Sequence, residues 1–132
     1  MPGGSLGGSP VTVSLWAQLV LGACSGGAMA YAAFILIAPD VGPPPLFPFQ
    51  DKVFHAVAFA ALTGPAVLVL PGRLLWFWLA HMVMLGGGIE VVQALGGDGR
   101  TASVWDFLAD VVGIAAATWV GRLIRRVVGA SE

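Results

Sequence analysis

Charged residues are scarce in this sequence. Asp, Glu, Lys and Arg make up only 10% of its 132 residues, whereas about 25% is usual in soluble domains. Hydrophobic residues make up 58%, and the mean hydropathy is +0.89. This composition excludes an ordinary soluble domain and indicates a membrane protein. The formal net charge of −1, without a basic patch or a nucleic-acid-binding motif, argues against DNA or RNA as a partner.

Cysteine and N-terminal positive charge are also scarce. Cys24 is the single cysteine, so no intrachain disulfide can form, and its apolar neighbours favour packing as a small hydrophobic side chain. The first residues, MPGGSLGGSP, lack the positively charged region that opens a signal peptide. We therefore expect residues 1–13 to form a flexible tail and the first apolar segment to be retained.

Four apolar segments follow, each near the ~20 residues that a helix needs to span a bilayer. The predicted helices cover residues 14–38, 51–70, 73–95 and 104–127. Pro39 ends the first helix, Asp51 is placed as the N-cap of the second, and Ser103 as the N-cap of the fourth. Asp106 follows three residues later, as in a capping box. The expected fold is one all-α domain over residues 14–127, a four-helix transmembrane bundle.

Small residues recur at spacings that place them on one helical face, where they allow a neighbouring backbone to come close. These stripes are Gly22, Gly26 and Ala30 on the first helix, and Gly113, Ala117 and Gly121 on the fourth. Three consecutive glycines, 86–88, stand just before Glu90 and cost helix stability unless a neighbour approaches them. We expect close packing at all three places.

Basic residues set the expected orientation of the bundle. With four spans, both termini and the turn between the second and third helices share one side of the membrane. That side has Arg73, Arg122, Arg125 and Arg126, and the other side has Lys52 and Arg100. This excess predicts that both termini are cytoplasmic.

Ionisable residues are concentrated at the predicted outer side, where the second helix begins, the third ends and the fourth begins. A rise of about 1.5 Å per residue brings His55, Glu90 and Asp110 to a similar depth, and these are the candidate catalytic residues. The candidate binding residues around them are Asp51, Lys52, Gln93, Arg100 and Asp106. Charges inside a membrane are expensive and commonly functional, so this layer is the candidate site.

Structural interpretations stand beside the functional one. Asp51 and Asp106 are explained equally well as helix caps, His55 as a core histidine, and Arg100 as a partner of headgroups. Four carboxylates against Lys52 and Arg100 leave an excess negative charge, which calls for bound protons, a charged His55 or a bound cation. The residues lack the spacing of known zinc motifs, so we predict no metal site and no cofactor.

Three blocks of this sequence resemble the VanZ-like family of small membrane proteins. The blocks are Asp51-Lys52-x-x-His55 with Phe59, Glu90-x-x-Gln93, and Arg100 with Asp106 and Gly113. The resemblance covers residues 47–121 and implies a four-helix membrane protein without an established catalytic activity. The founding member of that family is associated with reduced susceptibility to teicoplanin, which acts on cell-wall precursors outside the membrane. This chain departs from the family pattern at Asp110, where Asn is usual, and at Ala117, where a second glycine is common.

The leading interpretation is a VanZ-like protein of the bacterial inner membrane. Its polar site would face the outer leaflet and concern the cell envelope or antibiotic resistance. One alternative is a membrane enzyme in which a carboxylate or His55 acts as a base on a lipid-linked or phosphorylated substrate. Another is a structural or partner-binding bundle in which the charges only hold the helices together. The expected partners are membrane lipids, together with a lipid-linked envelope precursor or another membrane protein.

Overall fold

The computed structural model describes residues 14–37, 45–96 and 102–129. This part of the chain forms four helices and no strand, which confirms the predicted all-α, four-helix class. The helices are α1 (Leu15–Ile37), α2 (Gln50–Val69), α3 (Gly72–Leu95) and α4 (Val104–Gly129). The predicted tail at residues 1–13, the helix end at Pro39 and the candidate binding residue Arg100 lie outside the described residues.

Three helices are long and apolar enough to cross a membrane: α2, α3 and Val104–Val128 of α4. The shorter apolar stretch Leu15–Ala28 belongs to α1. Large apolar side chains such as Trp16 and Met84 are exposed, while Glu90 and Asp110 are buried. This distribution is the reverse of that in a soluble domain and is typical of a helical membrane protein.

The core is built from stripes at spacings of three and four residues, which bring one face of each helix towards its neighbours. These buried residues are Phe59, Thr63, Ala66 and Val67 on α2, Leu70 at its C-cap, and Leu75, Leu79, Met82, Gly86 and Ile89 on α3. Ile114 adds the apolar contribution of α4. Such spacing suits helices that cross at a small angle.

The parallel pair α2 and α4 forms the main interface, and its alignment follows from the contacts along it. Lys52 meets Asp106 and His55 meets Asp110 at one end. Towards the other end, Arg125 donates to the Leu70 carbonyl oxygen. Each partner on α4 lies a nearly constant number of residues after its partner on α2. The two helices are therefore aligned side by side over most of their length.

Glycines on α4 permit this close approach. A Cβ at Gly113 would fall on the carbonyl oxygen of Ala56 and lie 2.9 Å from its carbonyl carbon. At Gly121 a Cβ would lie 2.6 Å from Val67 Cγ1. The predicted close packing of the fourth helix is confirmed at both glycines.

The predictions of close packing at the glycines of α3 and α1 have different outcomes. At Gly86 a Cβ would lie 2.8 Å from Asp110 Oδ2, and at Gly87 it would lie 3.6 Å from a Phe107 ring carbon. Nothing within 4 Å would meet a Cβ at Gly88. The same holds for Gly22 and Gly26, so tight packing through these two glycines of α1 was wrong for the described part of the chain.

The start of α2 corrects the prediction of Asp51 as N-cap. The N-cap is Phe49, whose left-handed backbone (φ 64°, ψ 17°) leads into a helix that begins at Gln50. Asp51 therefore lies inside the first turn, where its charge still favours the helix dipole. The helix then continues without interruption through Pro65 to Val69.

Candidate functional site

Five polar contacts form at the end of the bundle where α2 begins, α3 ends and α4 begins. We call this set the polar cluster, made of Asp51, Lys52, His55, Glu90, Ser103, Asp106 and Asp110. It brings together all three candidate catalytic residues and three of the five candidate binding residues. The predicted convergence of ionisable groups from three helices is therefore present in the structure.

His55 and Asp110 form the deepest contact of the cluster. Nδ1 of His55 lies 2.8 Å from Oδ1 of Asp110, and the side chains are 12% and 1% exposed. Within the described part of the chain, Oδ2 of Asp110 has no hydrogen-bond partner. It faces Gly86, whose missing side chain leaves room for it. Asp110 thus fixes the orientation of the imidazole through Nδ1, and it keeps a second oxygen with unused acceptor capacity.

Lys52 joins the beginnings of α2 and α4. Its Nζ donates to Oδ2 of Asp51 at 2.7 Å and to Oδ1 of Asp106 at 2.9 Å. Asp51 is 59% exposed, so its pair with Lys52 is screened by solvent and contributes little to stability. Asp106 is only 15% exposed. The contact between Lys52 and Asp106 is therefore the one that holds the two helix ends together.

Glu90 caps the start of α4 from a neighbouring helix. Its Oε2 accepts the backbone N–H of Ser103 at 2.7 Å, and the Ser103 hydroxyl oxygen accepts the backbone N–H of Asp106 at 3.3 Å. Ser103 is thus the predicted N-cap. One of the two hydrogen bonds of the predicted capping box is present, and in the other Glu90 replaces the Asp106 side chain. Because Lys52 takes the Asp106 carboxylate, Glu90 supplies the acceptor that the third residue of such a box provides.

Sequence reasoning overlooked the roles of two residues of this region, Ser103 and Tyr31. For two of its candidate binding residues, Gln93 and Arg100, no contact is described. Sequence reasoning treated Ser103 only as a local cap, and it did not consider Tyr31 of α1, which is half-buried and near enough to Asp110 to be influenced by its charge. Tyr31 is the only tyrosine, and its position late in the first helix could have indicated this end of the bundle. Gln93 is half-buried on α3. Arg100, as noted, lies outside the described residues.

The polar cluster offers hydrogen-bond acceptors. Two buried carboxylate oxygens, Glu90 Oε1 and Asp110 Oδ2, have no hydrogen-bond partner among the described residues. Leaving buried acceptors unsatisfied costs free energy, so both oxygens favour a donor, either a bound proton or a donor group of a ligand. No set of three or more His, Cys, Asp or Glu residues within the described ranges could hold a metal ion.

The opposite end of the bundle is held by arginine. Nη1 of Arg125 donates to the carbonyl oxygens of Val67 and Leu70 at 3.1 and 3.0 Å. These carbonyls belong to the last turn of α2, where a cation also interacts favourably with the helix dipole. The Arg122 guanidinium carbon lies 5.8 Å from the centre of the Trp76 ring, close enough for a cation–π interaction.

No protein-family model matches this chain, and comparisons with curated proteins and with solved structures likewise find no match. The geometry of the polar cluster is therefore the basis for any functional proposal. That geometry consists of a histidine oriented by a buried carboxylate, a lysine shared by two carboxylates, and a glutamate that caps a helix.

Proposed function

We propose that this protein is a VanZ-like integral protein of the bacterial inner membrane. Its polar cluster faces the outer leaflet and binds a component of the cell envelope, so that the protein lowers susceptibility to teicoplanin. The observation that carries the proposal is the meeting of sequence blocks that resemble this family. Lys52 of the first block contacts Asp106 of the third. His55 of the first block contacts Asp110, the position where this chain departs from the family pattern, and Glu90 of the second block contacts Ser103, which lies within the span of the third.

These contacts join residues that are far apart in the sequence, which is why they support the proposal. Lys52 and Asp106 are 54 positions apart, and His55 and Asp110 are 55 apart. Helix packing alone could be achieved with apolar side chains, and replacing buried ion pairs by apolar residues is often neutral or stabilising. The resembling blocks thus share one small volume and share polar chemistry, which supports a common role in binding.

The charge of the cluster favours a particular ligand chemistry. Lys52 is already shared between two carboxylates, so it offers little to an additional anion. The unused atoms are the buried acceptors of Glu90 and Asp110. Such a site suits hydroxyl, amide or ammonium groups, which are present in the sugar and peptide parts of a lipid-linked envelope precursor, better than it suits phosphate.

A membrane enzyme is the second candidate, and the geometry of His55 favours it. With Asp110 holding Nδ1, the other ring nitrogen is the one that could accept a proton from a substrate, as a general base does. A purely structural role is the third candidate, because the cap that Glu90 provides for α4 needs no ligand. Both alternatives use the same cluster but predict different behaviour of variants.

The function is tested by expressing the chain in a teicoplanin-susceptible Gram-positive host and measuring the minimum inhibitory concentration. The wild type should raise it, and His55→Gln should abolish the increase at an unchanged protein level in the membrane. His81→Gln is the matched control, because His81 is exposed on α3 and contacts Trp78 rather than the polar cluster. No effect of the wild type, or equal loss in both variants, would contradict the proposal.

The orientation is tested in the same cells. In a Cys24→Ser background, single cysteines at positions 97 and 130 should differ in their accessibility to a membrane-impermeant maleimide. Position 97, between α3 and α4 in the sequence, should react from outside in intact cells, and position 130 only after the membrane is opened. Labelling of position 130 from outside would place the cluster at the inner leaflet and remove the link to envelope precursors.

A further inference from the structure

A second candidate site lies away from the polar cluster, in a groove between α3 and the second half of α4. Its volume is about 440 Å³, within the range of roughly 300–1,000 Å³ that is usual for sites of small molecules. Leu79, Ile114 and Ala115 are among the apolar residues that line it. The groove lies on helices that are long and apolar enough to cross a membrane.

Aromatic and basic side chains line the end of this groove nearest the start of α3. Trp76 and Trp119 line it and are 65% and 70% exposed. Arg122 and Arg126 also line it, and their spacing of four residues places both guanidinium groups on one face of α4. Tryptophan and arginine together mark the depth at which a membrane protein meets lipid headgroups.

The charge at this end is unbalanced. All acidic side chains in the described ranges belong to the polar cluster, where α4 begins. Arg125 is engaged by two carbonyl oxygens, and Arg122 lies over Trp76. Neither Arg122 nor Arg126 forms an ion pair with another described residue. The groove therefore combines an apolar surface with two positive charges that are available to an anion.

We infer that this groove binds one anionic glycerophospholipid. The phosphate lies between Arg122 and Arg126, and an acyl chain lies along Leu79, Ile114 and Ala115. A guanidinium group makes strong, charge-assisted hydrogen bonds to phosphate, and the apolar groove accounts for the chain. A second copy of the protein paired symmetrically on this surface would bring the same arginines together without acids to balance them, so lipid is the better occupant.

The inference is tested with the full-length protein in detergent, by titrating dioleoylphosphatidylglycerol or dioleoylphosphatidylcholine and following binding by native mass spectrometry. A juxtamembrane arginine contributes about fivefold to anionic lipid affinity. The wild type should prefer phosphatidylglycerol by about 30-fold, and the Arg122→Gln/Arg126→Gln double variant should lose that preference. Arg73→Gln is the matched control, because Arg73 is an exposed arginine at the start of α3 that does not line the groove.

A second variant tests the apolar part without changing charge. Ala115→Phe should fill the groove and weaken binding of both lipids, while the unchanged arginines keep the preference for the anionic headgroup. Glycerophosphoglycerol, which carries the headgroup without acyl chains, should compete poorly with the intact lipid.

Several results would overturn the inference. Equal affinity of the wild type for both lipids would show that the arginines do not recognise the anionic headgroup. The same loss in Arg73→Gln as in the double variant would show that the arginines act only through general charge. Effective competition by glycerophosphoglycerol would identify a site for a free anion. A dimer that Ala115→Phe dissociates would identify a second copy of the chain as the occupant of the groove.

Discussion

Gly113→Ala is expected to destabilise the bundle strongly, because the added methyl group would meet backbone rather than a side chain. At this position the neighbouring atoms are the carbonyl oxygen, the carbonyl carbon and the Cα of Ala56, the last two at 2.9 and 3.0 Å. A side chain could rotate away from such a contact, but the backbone of α2 can only move as a whole. The helices must therefore separate at their main interface.

The size of the effect follows from opposing contributions. Overpacking of a close interface costs about 1–3 kcal/mol, and a contact with backbone belongs at the upper end of that range. Separation would also stretch the contact between His55 and Asp110, which lies one turn before Gly113 on α4. Replacing Gly by Ala within a helix returns about 1 kcal/mol. The net loss in the free energy of unfolding should be about 2 kcal/mol.

The measurement is unfolding in mixed micelles, titrated with a denaturing detergent and followed by helical circular dichroism. Gly88→Ala is the matched control, because no atom within 4 Å would meet its new Cβ. That variant should be stabilised by about 1 kcal/mol through helix propensity alone, so the two variants should differ by about 3 kcal/mol. Equal stability of the two variants would refute the close approach of α2 and α4.

Two further predictions concern the polar cluster and use the same measurement. Glu90→Leu should lower the free energy of unfolding by about 1–3 kcal/mol, because it leaves the Ser103 N–H without an acceptor. Glu90→Gln retains a carbonyl oxygen there and should lower it much less. Similar losses in the two variants would mean that the cap is unimportant. Asp110→Ala should likewise destabilise the fold by about 1–3 kcal/mol through the unpaired His55, while Asp110→Asn keeps an acceptor for Nδ1 and should retain most of the stability. Equal effects of these two substitutions would argue against the contact between His55 and Asp110.

The helices could be predicted from the sequence because their signals are local. A span needs about 20 apolar residues, and Pro71 with Gly72 separates two such runs, so the observed helices begin and end within a few residues of the predicted ones. The cap of α2 could not be predicted in this way. Asp51 is a favoured N-cap residue, but the chain enters the helix through the left-handed backbone of Phe49.

The pairing within the candidate site was beyond sequence reasoning for a different reason. Helical periodicity places Asp106 and Asp110 on one face of α4, but their partners depend on the rotation and alignment of α2 against α4. The choice among the three consecutive glycines has the same origin, since Gly86 faces Asp110, whereas an added Cβ at Gly88 would meet no described atom within 4 Å. The contact of Glu90 is harder still to foresee, because its partner is a backbone N–H of Ser103.

The partnership of α2 with α4 has a consequence for how the protein is made. Chains are synthesised from the N-terminus, so α2 emerges before α4 exists. Until then Lys52 can keep its contact with its neighbour Asp51 but lacks the one with Asp106, and the imidazole of His55 lacks the carboxylate of Asp110. A charge without its partners is costly inside a bilayer. The earlier helices are therefore expected to remain near the insertion machinery or the membrane surface until α4 is made. Arrival of the last helix supplies Asp106, Asp110 and Arg125 together, so assembly is completed at both ends of α2 in one late step.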